Sequence, residues 1–151
     1  TSFADLKDEL GNIIYRCVDC KRVVVEEDQF DTGSRMLLNF GHTLAHTIEQ
    51  YYHYERESHG EAVAIGMYQL TKLVEEKGLT PDGTSIRIQD LLTIYGLPSS
   101  CGVALGALTE AIALDKKNLN NHLNLILLHG IGDSYIYPAA LDFFDDTERI
   151  V

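Results

Sequence analysis

The stretch Leu38-Asn39-Phe40-Gly41-His42-Thr43-Leu44-Ala45-His46, followed after one loop by His59-Gly60-Glu61-Ala62-Val63, decides how this chain is read, because it sets polar and titratable groups among apolar ones. At about 100° per residue, Arg35, Asn39, His42, His46 and Glu49 fall within roughly 40° of one line along a helix. Leu37, Phe40, Leu44 and Ile48 take the other side, with Leu38 at its edge, where an amphipathic helix buries its apolar stripe. The spacing predicts one helix from about Arg35 to Tyr52 that shows a cation, an amide, two imidazoles and a carboxylate on a single face. Solvated helix faces are usually filled with Glu, Lys and Gln. This one holds two of the chain's six histidines one turn apart. Imidazole titrates near neutrality and is the commonest side-chain metal ligand. By residue chemistry alone, His42, His46 and His59 are candidate ligands for one divalent ion. A His-x-x-x-His pair is a weak signal by itself, and His59-Gly60 also suits a helix start that only packs.

Composition bounds the function. A length of 151 residues with 45% hydrophobic content supports one globular domain with a core. A formal net charge of −11 argues against nucleic acid as a partner, which wants a basic footprint. It would also repel anionic substrates unless cations gather locally. No run approaches the ~20 apolar residues of a membrane span, and no basic segment leads into an apolar one at the start. A soluble, cytoplasmic protein with no membrane contact is expected. Cys17, Cys20 and Cys101 form no disulfide framework. Cys17 and Cys20 make one C-x-x-C inside a helical pattern with no second pair to complete a zinc site, so two thiols one turn apart on a helix is the preferred reading.

Along the chain, Phe3, Leu6, Leu10, Ile13, Ile14 and Cys17 predict a first helix over about 25 residues. The acidic stretch 26–33 reads as a loop. After the histidine helix, 51–58 is a loop, and His59 opens a helix that stops at Gly78. Thr80-Pro81-Asp82-Gly83 is a turn, Ser85 to Tyr95 a helix ended by Gly96-Leu97-Pro98, and a further helix runs from Leu105 into Asp115-Lys116-Lys117. Leu123 to His129 and Ser134 to Tyr137 predict a hairpin around Gly130-Ile131-Gly132, with a short helix over Pro138 to Phe144. There is no internal repeat and no low-complexity linker. The class is mainly α.

Taken together, Arg35-x-x-x-Asn39-x-x-His42-x-x-x-His46, His59-Gly60-Glu61-Ala62-Val63 and Asp115-Lys116-Lys117 resemble the C-terminal domain of the 3-dehydroquinate synthases, members of the sugar-phosphate cyclase superfamily. The resemblance runs from about Leu10 to Tyr137. It implies the helical C-terminal domain of that fold with a short β-hairpin near its end, residues 1–151 forming a single metal- and substrate-holding domain. The NAD-binding N-terminal domain would lie outside this chain, and no G-x-G-x-x-G or equivalent nucleotide loop occurs in it. By position, His42 and His59 resemble the histidine ligands of Zn²⁺ or Co²⁺, whose carboxylate ligand comes from upstream. His46 resembles the catalytic histidine of the substrate pocket, near the phosphate. Lys21, Arg35, Asn39 and one or both of Lys116 and Lys117 resemble the substrate-binding groups. Such residues suit carboxylate, hydroxyls and phosphate, since Arg gives two parallel bonds and Lys a point charge. By themselves Lys116 and Lys117 also suit a solvated helix end.

The implied reaction converts 3-deoxy-arabino-heptulosonate 7-phosphate to 3-dehydroquinate and phosphate in the shikimate pathway. NAD⁺ transiently oxidises a ring hydroxyl, phosphate is eliminated, the ketone is reduced and the ring recloses by an aldol step. The resemblance also implies a homodimer in the full enzyme, while the isolated chain is expected to be inactive. Two positions depart from the family's pattern. Asp31 stands where Glu is usual, four residues before Arg35, which puts a shorter carboxylate at a position with an implied proton-transfer role. Ala45 stands where Gly is usual, and its methyl could crowd a close helix contact. Alternatives are another cyclase, such as a 2-deoxy-scyllo-inosose or valiolone synthase, a metal-dependent polyol dehydrogenase, or a stand-alone metal-binding domain without catalysis. The cations and the amide favour a cyclase over a dehydrogenase.

Overall fold

A computed structural model of the chain describes residues 6–30, 33–109, 123–144 and 146–151. The chain falls into two compact units, Thr1–Leu38 and Asn39–Val151. In the first, α1 (Leu10–Glu27) has no buried residue. Its polar side is laced by Arg22, which pairs with Asp19 at 2.9 Å and with Glu26 one turn on, the i,i+3 and i,i+4 spacing at which helix side chains meet. Beyond α1, Asp28 Oδ2 accepts from the backbone N–H of Gly33 at 2.7 Å and of Arg35 at 3.1 Å, which folds the acidic loop back on itself.

The second unit holds the core. Its elements are α2 (His42–Tyr51), α3 (His59–Glu76), α4 (Thr84–Ile94) and an antiparallel hairpin of β1 (Leu123–Gly130) and β2 (Asp133–Ala139), with helical backbone also at 105–109. Leu44, Ala45 and Ile48 of α2 meet Ala62, Ile65, Leu70, Leu73 and Val74 of α3. Leu125 and Leu127 of β1 and Leu105 and Leu108 join the same cluster. Each fully buried Leu or Ile contributes about 1.5–3 kcal/mol of transfer free energy. On the far side of α3, Ala64 and Tyr68 pack against Leu92 of α4. The α4 start is fixed from α3, because Glu75 Oε1 accepts from Ser85 N–H at 2.7 Å. Two bonds tie the hairpin to the segment after α3, from Thr80 Oγ1 to the Leu128 carbonyl at 2.9 Å and from Tyr135 Oη to the Leu79 carbonyl at 2.8 Å. Residues 101–106 accept the last residues alongside, with Val151 N–H on the Val103 carbonyl and Leu105 N–H on the Arg149 carbonyl.

The mainly helical class and the late hairpin are as the sequence predicts, but two elements differ. The single helix from Arg35 to Tyr52 does not exist. Residues Ser34–Asn39 form a 3₁₀ turn, and Gly41 then takes φ 79° before α2 begins at His42. Apolar periodicity runs through that break because 3₁₀ and α turns have similar repeats over a few residues. The break is required by packing. A Cβ on Gly66 would sit 2.1 Å from the Gly41 carbonyl oxygen, and one on Gly41 would sit 2.8 Å from Met67 Cγ, so α2 and α3 touch backbone to backbone. Ala45, the residue whose methyl could crowd a close helix contact, is fully buried, and Gly66 of α3 faces its backbone nitrogen. The second difference is at Pro138 to Phe144, where Pro138 and Ala139 complete β2 and only Leu141–Phe143 turn as 3₁₀ helix.

Candidate functional site

α2 carries His42 on its first turn and His46 on its second. The chain then reverses through a left-handed pair, His53 at φ 53° and Tyr54 at φ 62°. Tyr54 N–H bonds to the Glu49 carbonyl at 2.8 Å and His53 N–H to the Gln50 carbonyl at 3.1 Å, closing α2 in a Schellman pattern with histidine where glycine is common. Ser58 restarts the helix. Its hydroxyl accepts from Glu61 N–H at 3.4 Å while its own N–H donates to Glu61 Oε2 at 2.8 Å, a reciprocal capping box. That box sets His59 as the first residue of α3, where its ring meets Glu49 of α2.

The result is a cluster of three imidazoles. Ring centroids are 5.2 Å apart for His42 and His59, 5.7 Å for His42 and His46, and 6.0 Å for His46 and His59. Beneath His46 and His59 lies Glu49, whose side chain is only 8% exposed while theirs are about half exposed. His46 Nδ1 is 3.0 Å from Glu49 Oε2, and His59 Nδ1 is 2.9 Å from Glu49 Oε1. His42 Nδ1 is 3.2 Å from the Phe40 carbonyl. A carbonyl and an ionised carboxylate only accept, so Nδ1 is the donor in all three contacts. In the neutral rings this leaves every Nε2 with its lone pair. Burial alone would push Glu49 up, but the hydrogen bonds from His59 and His46 outweigh it and hold the carboxyl below its ordinary value.

Among the described residues, ligand atoms of His46, Glu49 and His59 lie within 4.8 Å of one another and could in principle enclose an ion. An ion placed on Glu49 would have to displace the two N–H bonds that both carboxylate oxygens already accept. The free Nε2 atoms are the better donors, and imidazole nitrogen suits Zn²⁺ and Co²⁺. The imidazole nitrogens therefore suit such a metal in their chemistry, while both Glu49 oxygens are already engaged by His46 and His59.

The structure thus brings together His42, His46 and His59, as residue chemistry predicts. Glu49, expected to look outward with them, is instead buried at 7% exposure, because His59 folds over that side of α2. Its signal in the sequence was its place three residues after His46, on the same side of the helix. Arg35 and Asn39 stand on the 3₁₀ turn rather than on the histidine helix, Asn39 being exposed at its end. Lys21 is exposed on α1, and Lys21 and Arg35 belong to the first unit. Asp31, Lys116 and Lys117 lie outside the described residues. Among the described residues no helix is long and apolar enough to cross a membrane.

A mainly helical domain that brings together imidazoles of two neighbouring helices, two of them on one buried carboxylate, is the class that the fold and the cluster define. Comparison makes it particular: the family described as 3-dehydroquinate synthase C-terminal matches residues 2–118, and the chain belongs to that family. It is 56% identical over 142 residues to a 3-dehydroquinate synthase of Clostridium perfringens, covering 93% of this chain and 41% of that protein. It is 38% identical over 146 residues to one from Streptococcus pneumoniae serotype 4, covering 96% and 41%. The chain thus spans about two fifths of the length of these relatives. Among solved structures, a 2-deoxy-scyllo-inosose synthase complexed with carbaglucose-6-phosphate, NAD⁺ and Co²⁺ superposes with TM-score 0.77 at 25% identity, over 94% of this chain and 41% of that one. A 2-epi-5-epi-valiolone synthase from Streptomyces hygroscopicus with NAD⁺ and Zn²⁺ bound gives 0.75 at 22% identity, over 89% and 38%, and shares the fold.

Proposed function

We propose that this chain is the metal- and substrate-holding part of a 3-dehydroquinate synthase, which converts 3-deoxy-arabino-heptulosonate 7-phosphate to 3-dehydroquinate and phosphate. The observation that carries the reading is the cluster of His42, His46 and His59, each ring held at Nδ1 with Nε2 free. In this reading His42 and His59 hold Zn²⁺ or Co²⁺, which when bound supplies Lewis-acid polarisation of substrate oxygens. His46 faces the substrate and exchanges a proton at Nε2, its Nδ1–H anchored on Glu49. Lys21, Arg35, Asn39 and Lys116 or Lys117 are in this reading the substrate-binding groups, their cationic and amide chemistry suiting carboxylate, hydroxyls and phosphate. Asp31 is an acid–base candidate. NAD finds no nucleotide loop in this sequence, so it would be held by a domain outside these residues.

The dehydroquinate synthase is favoured over another cyclase by the contrast between 56% identity to the Clostridium relative and 25% to the inosose synthase. The test uses the protein as encoded in its natural gene, supplied with NAD⁺, Co²⁺ and the heptulosonate phosphate. Release of phosphate with formation of 3-dehydroquinate is expected. His42→Ala and His59→Ala should lose bound metal, and His46→Ala should keep it while losing about 10²–10⁴-fold in turnover, the range for a general acid–base group. Absence of 3-dehydroquinate overturns the activity, and equal metal content in all three variants overturns the ligand assignment.

A further inference from the structure

Glu49 has no assigned role, yet it sits beneath two side chains to which different tasks fall. Its carboxylate gives one oxygen to each, Oε2 to His46 and Oε1 to His59, at 3.0 and 2.9 Å. The carboxylate is buried while the rings are half exposed, so the N–H edges point inward and the opposite ring edges point out. A shared acceptor does two things that separate acceptors would not. It fixes both rings as the Nδ1–H tautomer, and it ties their orientations to one side chain held within α2. We propose that Glu49 is a positioning residue that locks His46 and His59 together in the Nδ1–H tautomer, so that one carboxylate sets both the metal-holding and the substrate-facing imidazole. The assignment of those two tasks rests on the reading above; the locking itself rests only on the hydrogen bonds.

The geometry also says what substitution should do. Glu49→Gln is nearly isosteric, but it offers one acceptor and one N–H₂ donor. It can hold only one of the two rings, and the other must turn or change tautomer. Glu49→Asp keeps the charge and shortens the reach by one methylene, so it cannot serve both Nδ1 atoms at once. Loss of such an outer partner of a ligating histidine typically costs 10–100-fold in metal affinity.

The test uses the natural full-length protein. In the metal-free form, long-range proton–nitrogen NMR should report His46 and His59 both as Nδ1–H tautomers. Glu49→Gln should convert one of them to Nε2–H while the thermal transition stays cooperative. Chelator competition should then show Co²⁺ affinity lowered 10–100-fold in Glu49→Gln and in Glu49→Asp, with an altered visible spectrum of the bound Co²⁺. A substitution that only loosened the fold would lower the transition without switching a tautomer, and that result overturns the proposal. So does Glu49→Gln retaining both Nδ1–H signals or Co²⁺ affinity within twofold of the parent. If the parent shows the paired tautomers and binds Co²⁺ but does not turn over the heptulosonate phosphate, the substrate reading fails and the role of Glu49 stands.

Discussion

α1 and α3 are both 18 residues long and both carry apolar residues at helical spacing, yet they end in opposite environments. In α3, Ile65, Leu70 and Val74 are at most 1% exposed, whereas in α1 Ile14, Tyr15 and Val18 are more than half exposed. The periodicity is a local property, set by which positions recur every three to four residues. Burial is not local. α3 is covered on one side by α2 and the hairpin and on the other by α4, and it is this double covering that lets it present His59 at a fixed place beside α2. A helix whose register is locked on two sides can carry a precise side-chain constellation at its first turn.

The largest expected effect breaks the covering itself. Gly66→Ala places a methyl carbon about where the Gly41 carbonyl lies, at 2.1 Å, and backbone cannot rotate away as a side chain can. A loss at or beyond the upper end of the ~1–3 kcal/mol typical of overpacking is expected in denaturant unfolding, with Co²⁺ affinity falling in parallel because Gly41 leads directly into His42. Next comes a direct comparison of the two helices. Ile65→Ala should cost about 2–5 kcal/mol by cavity formation, while Val18→Ala should change stability by no more than about 0.5 kcal/mol. Similar losses from both substitutions would show that α1 is covered as α3 is, and would erase the contrast.

The smallest effect lies at the far end of α3. Arg149 donates to Glu76 through both terminal nitrogens, Nη1 to Oε1 at 3.1 Å, and also reaches Asp146, which fastens the last residues of the chain to the helix end. The Arg149 hydrogen bonds hold the Glu76 carboxyl below its ordinary value against the opposing effect of burial. A carboxyl depressed on folding stabilises the fold above its unfolded pKa of about 4.3, and that contribution is lost as pH falls through the lower folded value. Glu76 is half exposed, so solvent screening keeps the contribution below about 1 kcal/mol. Unfolding free energies compared between pH 6 and pH 3 should differ less in Glu76→Gln than in the parent, by no more than about 1 kcal/mol.

The members of the imidazole cluster were legible in the chain. The spacing His42-x-x-x-His46 and the loop to His59 named the three imidazoles that the structure gathers, and the family the motifs resemble is the family the chain matches. The misreadings share one cause. Helical geometry carried Arg35 and Asn39 onto the histidine face because the apolar repeat crosses Gly41 uninterrupted, and it left Glu49 facing outward because a wheel of one helix cannot include the neighbour that returns over it. The break at Gly41 is forced by Gly66, 25 positions away in sequence, and Glu49 is buried by His59, which reaches it only after a left-handed reversal at His53 and Tyr54.

The sequence by itself determined the mainly helical class, the start of a helix at His59, the hairpin and the identity of the imidazoles, since these rest on residue type and on neighbours close along the chain. Only the tertiary structure decided where the main helix breaks, which face of α2 is covered, and that one carboxylate serves two histidines. Those outcomes depend on contacts between segments distant in sequence, where steric exclusion between backbones and the need to pair a buried charge select among faces that local propensity leaves equivalent.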